Sequence, residues 1–136
     1  MSRAIIAACA FLALAWAASA EDAATPVFTA EQAVTGKTAY TRACARCHLP
    51  DLSGGANEVP PLAGSTFIST WGSRSTKDLF DYVSGAMPPG GPAESKETYE
   101  ALLAFILQSN GAVAGPKPLT YSTDTTIATL TSLIAP

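Results

Sequence analysis

The sequence has few of the side chains that most often bind metals, and few charges. Of its 136 residues, one is histidine, two are methionine, three are cysteine, and 14% are charged. Lysine and arginine (8) are fewer than aspartate and glutamate (11), which argues against a nucleic-acid-binding protein, because such proteins carry basic surfaces. Disordered chains combine few apolar residues with high net charge, whereas this chain is 48% hydrophobic with a formal charge of −3. We therefore expect one folded domain.

The sequence also lacks an apolar run of the length of a transmembrane helix. Its longest run, residues 4–18, has 15 residues, against about 20 needed to span a bilayer. The run follows Arg3 and ends in an Ala-Ser-Ala sequence at 18–20, the arrangement of a secretory signal peptide with an A-x-A cleavage site. We predict cleavage after Ala20 and a periplasmic location. The alternative is an uncleaved membrane anchor.

Removal of the signal peptide would leave two cysteines, both beside the one histidine. The Cys-Ala-Arg-Cys-His sequence at 44–48 has the C-x-x-C-H pattern by which c-type haem is attached. The two thiols add across the haem vinyl groups as thioethers, and the histidine then lies beneath the iron as its proximal ligand. We predict one haem c, bound covalently through Cys44 and Cys47 and ligated by His48.

Three other kinds of site use the same residue types. A structural zinc site needs four ligands, usually cysteine or histidine, and this pattern supplies three. A thioredoxin-like redox pair requires a βαβ context and gains nothing from His48. A plain disulfide between Cys44 and Cys47 leaves the histidine unexplained. Covalent haem accounts for all three residues, so we favour it.

The second axial ligand of the iron can be inferred by elimination. No second histidine exists, and of the two methionines Met1 belongs to the signal peptide. Most lone methionines fill gaps in a core. Met87, however, lies in a segment rich in proline and glycine, residues 84–91, where proline stiffens the backbone and no helical face can bury the side chain. We predict that His48 and Met87 are the axial ligands.

Helix signals dominate the chain, and no stretch shows the sustained alternation of a strand. A capping box predicts a helix over residues 29–44. A second helix is predicted from residue 75 until Gly85 ends it, and a third from about 95 to 109. Residues 51–66, rich in glycine, proline and serine, are predicted to form a loop. Because three such helices bury little apolar surface, we expect the chain without haem to be largely unfolded.

These features resemble a known family, the class I cytochromes c. Residues 36–48 are similar to its N-terminal helix, in which a glycine and an aromatic residue precede the haem motif. In that family the glycine lets the C-terminal helix cross closely, and Phe105 resembles the aromatic residue that packs there. A helical glycine costs about 1 kcal/mol relative to alanine, so Gly36 requires such a packing reason. The resemblance covers residues 29–111 and implies an all-α, small cytochrome c fold of three main helices around one covalently bound haem.

Three further residues are candidates for contacts with the haem or its ligand. Residues 59–62 resemble the family's segment in which a proline carbonyl accepts a hydrogen bond from the proximal histidine. We assign this role to Pro61, with Pro60 as the alternative. Trp71 and Arg74 carry N–H groups suited to the haem propionates. The alternatives are a core tryptophan and a solvated arginine.

The chain therefore divides into a signal peptide at 1–20, an N-terminal extension at 21–28, a cytochrome c domain at 29–114 and a C-terminal tail at 115–136. Within the tail, Ile127 and Leu130 are among the apolar residues that fall near helical spacing. Two alternatives stay open: a short amphipathic helix over the domain or a partner, or a disordered segment.

The coordination predicts the function. His/Met ligation fills both axial positions and leaves no open site for a substrate. We predict an electron-transfer protein, not an enzyme, that cycles its haem between Fe(II) and Fe(III), accepts electrons from a dehydrogenase and donates them to a terminal oxidase or another cytochrome. Residues 62–89 resemble single-haem proteins associated with periplasmic quinoprotein dehydrogenases, which implies such a partner. The alternatives are a haem protein with a labile distal site, acting as a peroxidase or gas sensor, and a tightly held subunit of a dehydrogenase complex.

Overall fold

The computed structural model describes residues 25–56 and 58–131, so the predicted signal peptide lies outside the described residues. Over the described residues the secondary structure is helical, with two isolated β-bridges and no strand. None of the helices described is long and apolar enough to cross a bilayer. The helices are α1 (Ala30–Ala43), α2 (Ala45–His48), α3 (Ser65–Trp71), α4 (Thr76–Ala86), α5 (Lys96–Ser109) and α6 (Ile127–Thr131). The all-α prediction is confirmed.

Side-chain caps begin the three long helices, α1, α4 and α5. At the start of α1, the Thr29 hydroxyl accepts from the Gln32 N–H and the Gln32 side chain accepts from the Thr29 N–H, both at 3.2 Å. Ser75 forms the same kind of box at the start of α4, and Ser95 caps α5. Each cap satisfies N–H groups that have no partner inside the helix. These helices correspond to the three predicted from the sequence.

Two local predictions need correction. α4 ends at Ala86 and not at Gly85, because Gly85 keeps a right-handed backbone and the Met87 N–H still donates to the Val83 carbonyl at 3.0 Å. The helix α3 begins at Ser65, inside the segment predicted to be loop. Its first turn has no side-chain cap, so the sequence carries no start signal there.

α1 and α5 cross in direct backbone contact. A Cβ atom at Gly36 would lie 1.8 Å from the Ala101 carbonyl oxygen and 3.0 Å from the Phe105 Cβ. One turn later, the ring of Tyr40 packs on that of Phe105, with the centroids 5.2 Å apart. The prediction that Gly36 permits this close crossing and that Phe105 packs there is confirmed. α5 supplies the centre of the core, since all of its residues from 101 to 107 are buried.

The tail packs over the domain from residue 115 to residue 131. The Gln32 side chain donates to the Leu119 carbonyl and accepts from the Leu119 N–H, each at 2.8 Å. Farther along, the Thr76 hydroxyl donates to the Thr123 carbonyl at 2.6 Å. Ile127 and Leu130 of α6 are buried in the core. Of the two alternatives for the tail, the structure has a short helix over the domain as far as residue 131; residues 132–136 lie outside the described residues.

Candidate haem site

The C-x-x-C-H segment is a helical turn that continues from α1. Its first residue, Cys44, caps α1 by donating its N–H to the Tyr40 carbonyl at 2.8 Å. The Cys44 carbonyl then accepts from the N–H groups of Cys47 and His48, at 3.0 and 2.9 Å. Both cysteines are free; Cys44 is half-buried and Cys47 is exposed. The turn therefore presents two thiols and an imidazole from one short, hydrogen-bonded segment.

His48 is buried, and a backbone carbonyl fixes its ring. Its Nδ1 lies 2.9 Å from the Pro60 carbonyl oxygen. A carbonyl oxygen only accepts, so Nδ1 is the donor, and in the neutral ring Nε2 then carries the lone pair that a metal requires. The assignment of this role to Pro61 is wrong, and the alternative, Pro60, is the acceptor.

The loop geometry explains why Pro60 is the acceptor. The Val59 carbonyl accepts from the Gly55 N–H at 3.2 Å, and the Leu62 N–H donates to the Leu52 carbonyl at 2.8 Å. These bonds hold the loop on either side of Pro60. Gly54 has a φ of +80°, and a Cβ there would lie 2.9 Å from the Pro60 carbonyl carbon. Gly54 therefore belongs to the site, because only a residue without Cβ lets the two halves of the loop approach so closely.

The Tyr40 phenol holds the backbone that leaves the haem motif. Its hydroxyl donates at 2.7 Å to the carbonyl of Leu49, a residue whose φ is 65°. Burial raises the pKa of Tyr40 to about 12, and charge at Cys44 and Asp51 adds in the same direction. The phenol therefore stays protonated and remains a donor at neutral pH. Tyr40 therefore combines the packing of its ring on Phe105 with a hydrogen bond beside His48.

Met87 lies where α4 ends and the loop to α5 begins. Its backbone is extended, with φ −123° and ψ 142°, and its side chain is half-buried. The Met87 carbonyl accepts from the Tyr99 hydroxyl at 2.7 Å. Nothing in the sequence singles out Tyr99 for this contact, because a tyrosine at a buried helical position has the pattern of a core residue. The ligation of iron by Met87 stays a prediction.

Trp71 and Arg74 lie together at the end of α3. The Arg74 guanidinium carbon is 4.9 Å from the centroid of the Trp71 ring, whose other neighbour is Tyr82 at 5.3 Å. Arg74 is exposed and Trp71 is half-buried. The structure thus places the two candidate propionate donors side by side. Their contact with a haem stays a prediction.

An ion pair joins the segment before the haem motif to the loop after Met87. The Arg42 guanidinium and the Glu94 carboxylate are 2.7 Å apart. Burial raises the pKa of the Cys44 thiol, the nearby Glu94 raises it further, and Arg42 partly offsets this. The loop after Met87 therefore approaches the haem motif.

These residues fit a covalently bound haem c. The donor set comprises two free thiols, an imidazole whose Nδ1 is already bonded, and a half-buried thioether. Partly buried apolar side chains from three segments pack against the core and can line a flat apolar group; they include Leu62, Ile68, Trp71 and Val83. Small domains bury little apolar surface on their own, so the apolar faces of a bound haem would add to this core.

Comparison with protein families identifies a match. Residues 31–106 match the family model described as cytochrome c oxidase, cbb3-type, subunit III. The matched segment covers more than half of the chain and includes the C-x-x-C-H turn, Met87 and most of α5. Searches of curated proteins and of solved structures give no match. The chain therefore belongs to this family of c-type cytochromes and is an electron-transfer protein with covalently bound haem c.

Proposed function

We propose that the protein is a periplasmic one-electron carrier of the class I type, with His48 and Met87 as its iron ligands. The observation that carries this proposal is the buried His48 ring, which the Pro60 carbonyl orients with Nε2 available. When bound, haem c supplies a reversible Fe(II)/Fe(III) couple. His48 and Met87 would occupy both axial positions, and a methionine ligand raises the potential relative to ligation by two nitrogens.

For the redox partners, we propose a dehydrogenase as the donor and a terminal oxidase or another cytochrome as the acceptor. The family description names an oxidase subunit, which supports a partner of the oxidase class. The resemblance of residues 62–89 to cytochromes associated with quinoprotein dehydrogenases supports that class of donor. Encounters of this kind use small, transient interfaces.

The packing of the described part of the tail, residues 115–131, supports a free carrier over a tightly held subunit. A subunit of a larger complex would use exposed apolar surface for permanent association. In the tail, Leu119, Ile127 and Leu130 are at most 3% exposed, because they pack on the chain's own domain. Their apolar surface is therefore used within the protein.

Visible spectroscopy tests the proposed ligands. The full-length chain is expressed in a host that matures c-type haem, and ferric and ferrous spectra are recorded with and without carbon monoxide. We expect a low-spin spectrum that carbon monoxide does not change, and a weak ferric methionine–sulfur band. Met87→Ala should abolish this band, and Pro89→Ala, an exposed change in the same loop, should retain it. Ready binding of carbon monoxide by the wild-type protein would support the alternative with a labile distal site.

Fractionation and kinetics test the location and the partners. Periplasmic protein should begin at Glu21 when its N-terminus is sequenced, and Ala20→Arg should block this cleavage. A membrane-bound protein that keeps residues 1–20 would contradict export as a free carrier. In stopped-flow mixing, a reduced quinoprotein dehydrogenase should reduce the ferric protein, and an oxidase should reoxidise it. Failure of the first reaction alone would exclude the proposed class of donor.

A further inference from the structure

We propose that Tyr99 is a positioning residue for the axial methionine: its hydroxyl holds both ends of the loop that carries Met87. This inference rests on the proposed function in one respect, the assignment of Met87 as an iron ligand. The loop runs from Met87 to Ser95, between α4 and α5, and residues 89–93 in its middle are exposed. Such a loop needs anchors if its first side chain is to keep one position.

The Tyr99 hydroxyl makes two hydrogen bonds whose directions are fixed. It donates to the Met87 carbonyl at 2.7 Å and accepts from the Glu94 N–H at 3.1 Å. An amide N–H can only donate and a carbonyl can only accept, so the phenol proton must point to Met87. Tyr99 is 3% exposed, so water competes little for the groups that its hydroxyl bonds. One buried oxygen atom thus joins the first residue of the loop to one near its end.

The helix that carries Tyr99, α5, also packs on α1, the helix that leads to His48. Tyr99 lies near the start of α5, and α5 meets α1 backbone to backbone at Gly36. α1 leads directly into the turn that ends at His48. The two proposed ligands are therefore held by one pair of helices, His48 through the chain itself and Met87 through the Tyr99 hydroxyl. The Phe80 ring, 6.4 Å away and nearly perpendicular, packs on the tyrosine from the side of α4.

Other contacts of the loop are local or exposed. The Met87 N–H continues the hydrogen-bonding pattern of α4, and the Gly91 N–H donates to the Pro88 carbonyl within the loop. The ion pair from Arg42 to Glu94 does reach α1, but the arginine side chain is 64% exposed. Exposed ion pairs contribute little, because water and salt screen them. The Tyr99 hydroxyl is therefore the buried contact that ties this loop to the helix pair.

Displacement of the methionine by added imidazole tests the proposal in the haem-loaded, full-length protein. Tyr99→Phe removes the hydroxyl and keeps the ring. We expect ferric Tyr99→Phe to bind imidazole about tenfold more tightly than the wild type, because the freed Met87 carbonyl and Glu94 N–H no longer hold the loop. The reduction potential of Tyr99→Phe should also be lower than that of the wild type, since weaker methionine ligation favours the ferric form. Unchanged imidazole affinity would overturn the proposal.

Tyr40→Phe is the matched control. It removes a phenol-to-carbonyl hydrogen bond of the same length, 2.7 Å, beside His48 instead of Met87. We expect it to lower thermal stability about as much as Tyr99→Phe but to change imidazole affinity less than about twofold. An equal rise in imidazole affinity in both variants would mean that general loss of stability is the cause, and would overturn the positioning role.

Two further measurements separate the possible failures. If Met87→Ala leaves the ferric methionine–sulfur band unchanged, the ligand assignment fails and the inference fails with it. If Met87→Ala removes the band but Tyr99→Phe does not alter imidazole affinity, only the inference is overturned. Should Tyr99→Phe fail to fold, NMR on the wild-type protein provides the test. The Tyr99 hydroxyl proton should exchange slowly with solvent, and faster once imidazole has displaced Met87; fast exchange in both states overturns the proposal.

Discussion

The two proposed iron ligands are held in different ways. His48 ends a helical turn that continues α1, its side chain is buried, and a carbonyl orients its ring. α1 in turn contacts α5 backbone to backbone. Met87 begins an exposed loop, and a side-chain hydroxyl links it to α5. Helix packing thus fixes the histidine side, whereas side-chain hydrogen bonds and the tail hold the methionine side, so we expect the methionine side to loosen first.

Loss of the haem should unfold the structure around both proposed ligands at once. The double variant Cys44→Ala, Cys47→Ala cannot attach haem covalently. We expect it to lose most of its helical circular dichroism, because three helices of this size bury too little apolar surface alone. Arg46→Ala, an exposed change in the same motif, should keep both haem and helix content. A near-native spectrum of the double variant would show that the helices form without the cofactor.

Gly36→Ala should disrupt the crossing of α1 and α5, which holds the His48 side of the site. Its Cβ would lie 1.8 Å from the Ala101 carbonyl, so the helices must separate, and we expect a loss of about 3 kcal/mol in the free energy of unfolding. Gly85→Ala is the control, because nothing lies within 4 Å of a Cβ there. It should stabilise α4 by up to about 1 kcal/mol. Denaturant unfolding of both holoproteins measures this, and equal stabilities would refute the close crossing.

Ile127→Ala should loosen the attachment of α4 and leave the crossing of α1 and α5 intact. Ile127 is fully buried, and truncation of such a side chain costs about 2 to 3 kcal/mol. Locally, the Thr76 N–H, which donates to the Thr125 carbonyl at 2.9 Å, should exchange faster with solvent. Thr129→Ala, at an exposed position of α6, should stay within about 0.5 kcal/mol of the wild type. Unchanged exchange at Thr76 in Ile127→Ala would show that the tail does not hold α4.

Glu94→Gln should have the smallest effect. The ion pair with Arg42 links the loop of Met87 to α1, but the Arg42 side chain is 64% exposed and the Glu94 side chain 21% exposed. A double-mutant cycle with Arg42→Gln should give a coupling below about 1 kcal/mol, and the coupling should decline as salt is added. A larger, salt-independent coupling would mean that this pair, in addition to Tyr99, holds the loop.

Part of this protein follows from its sequence because the signals are local. Haem attachment requires two thiols and an imidazole at fixed spacing, and residues 44–48 supply them in one turn. The long helices begin at caps whose partners are three residues apart, so their starts were predicted to within about one residue. Gly36 and Phe105 were matched through a family resemblance, and the structure brings them together at the helix crossing.

The remainder depends on contacts between residues far apart in the chain. Pro60 and Pro61 look alike in the sequence, and only the fold of the loop around Gly54 selects the carbonyl that meets His48. Gln32 and Leu119 are 87 positions apart, so nothing near the tail predicts where it lies. The cofactor, the helical class and the starts of the long helices therefore follow from local sequence signals alone. Which carbonyl orients the histidine, where the tail packs and what Tyr99 holds depend on the folded chain, because a hydrogen bond requires its two partners to be close in space.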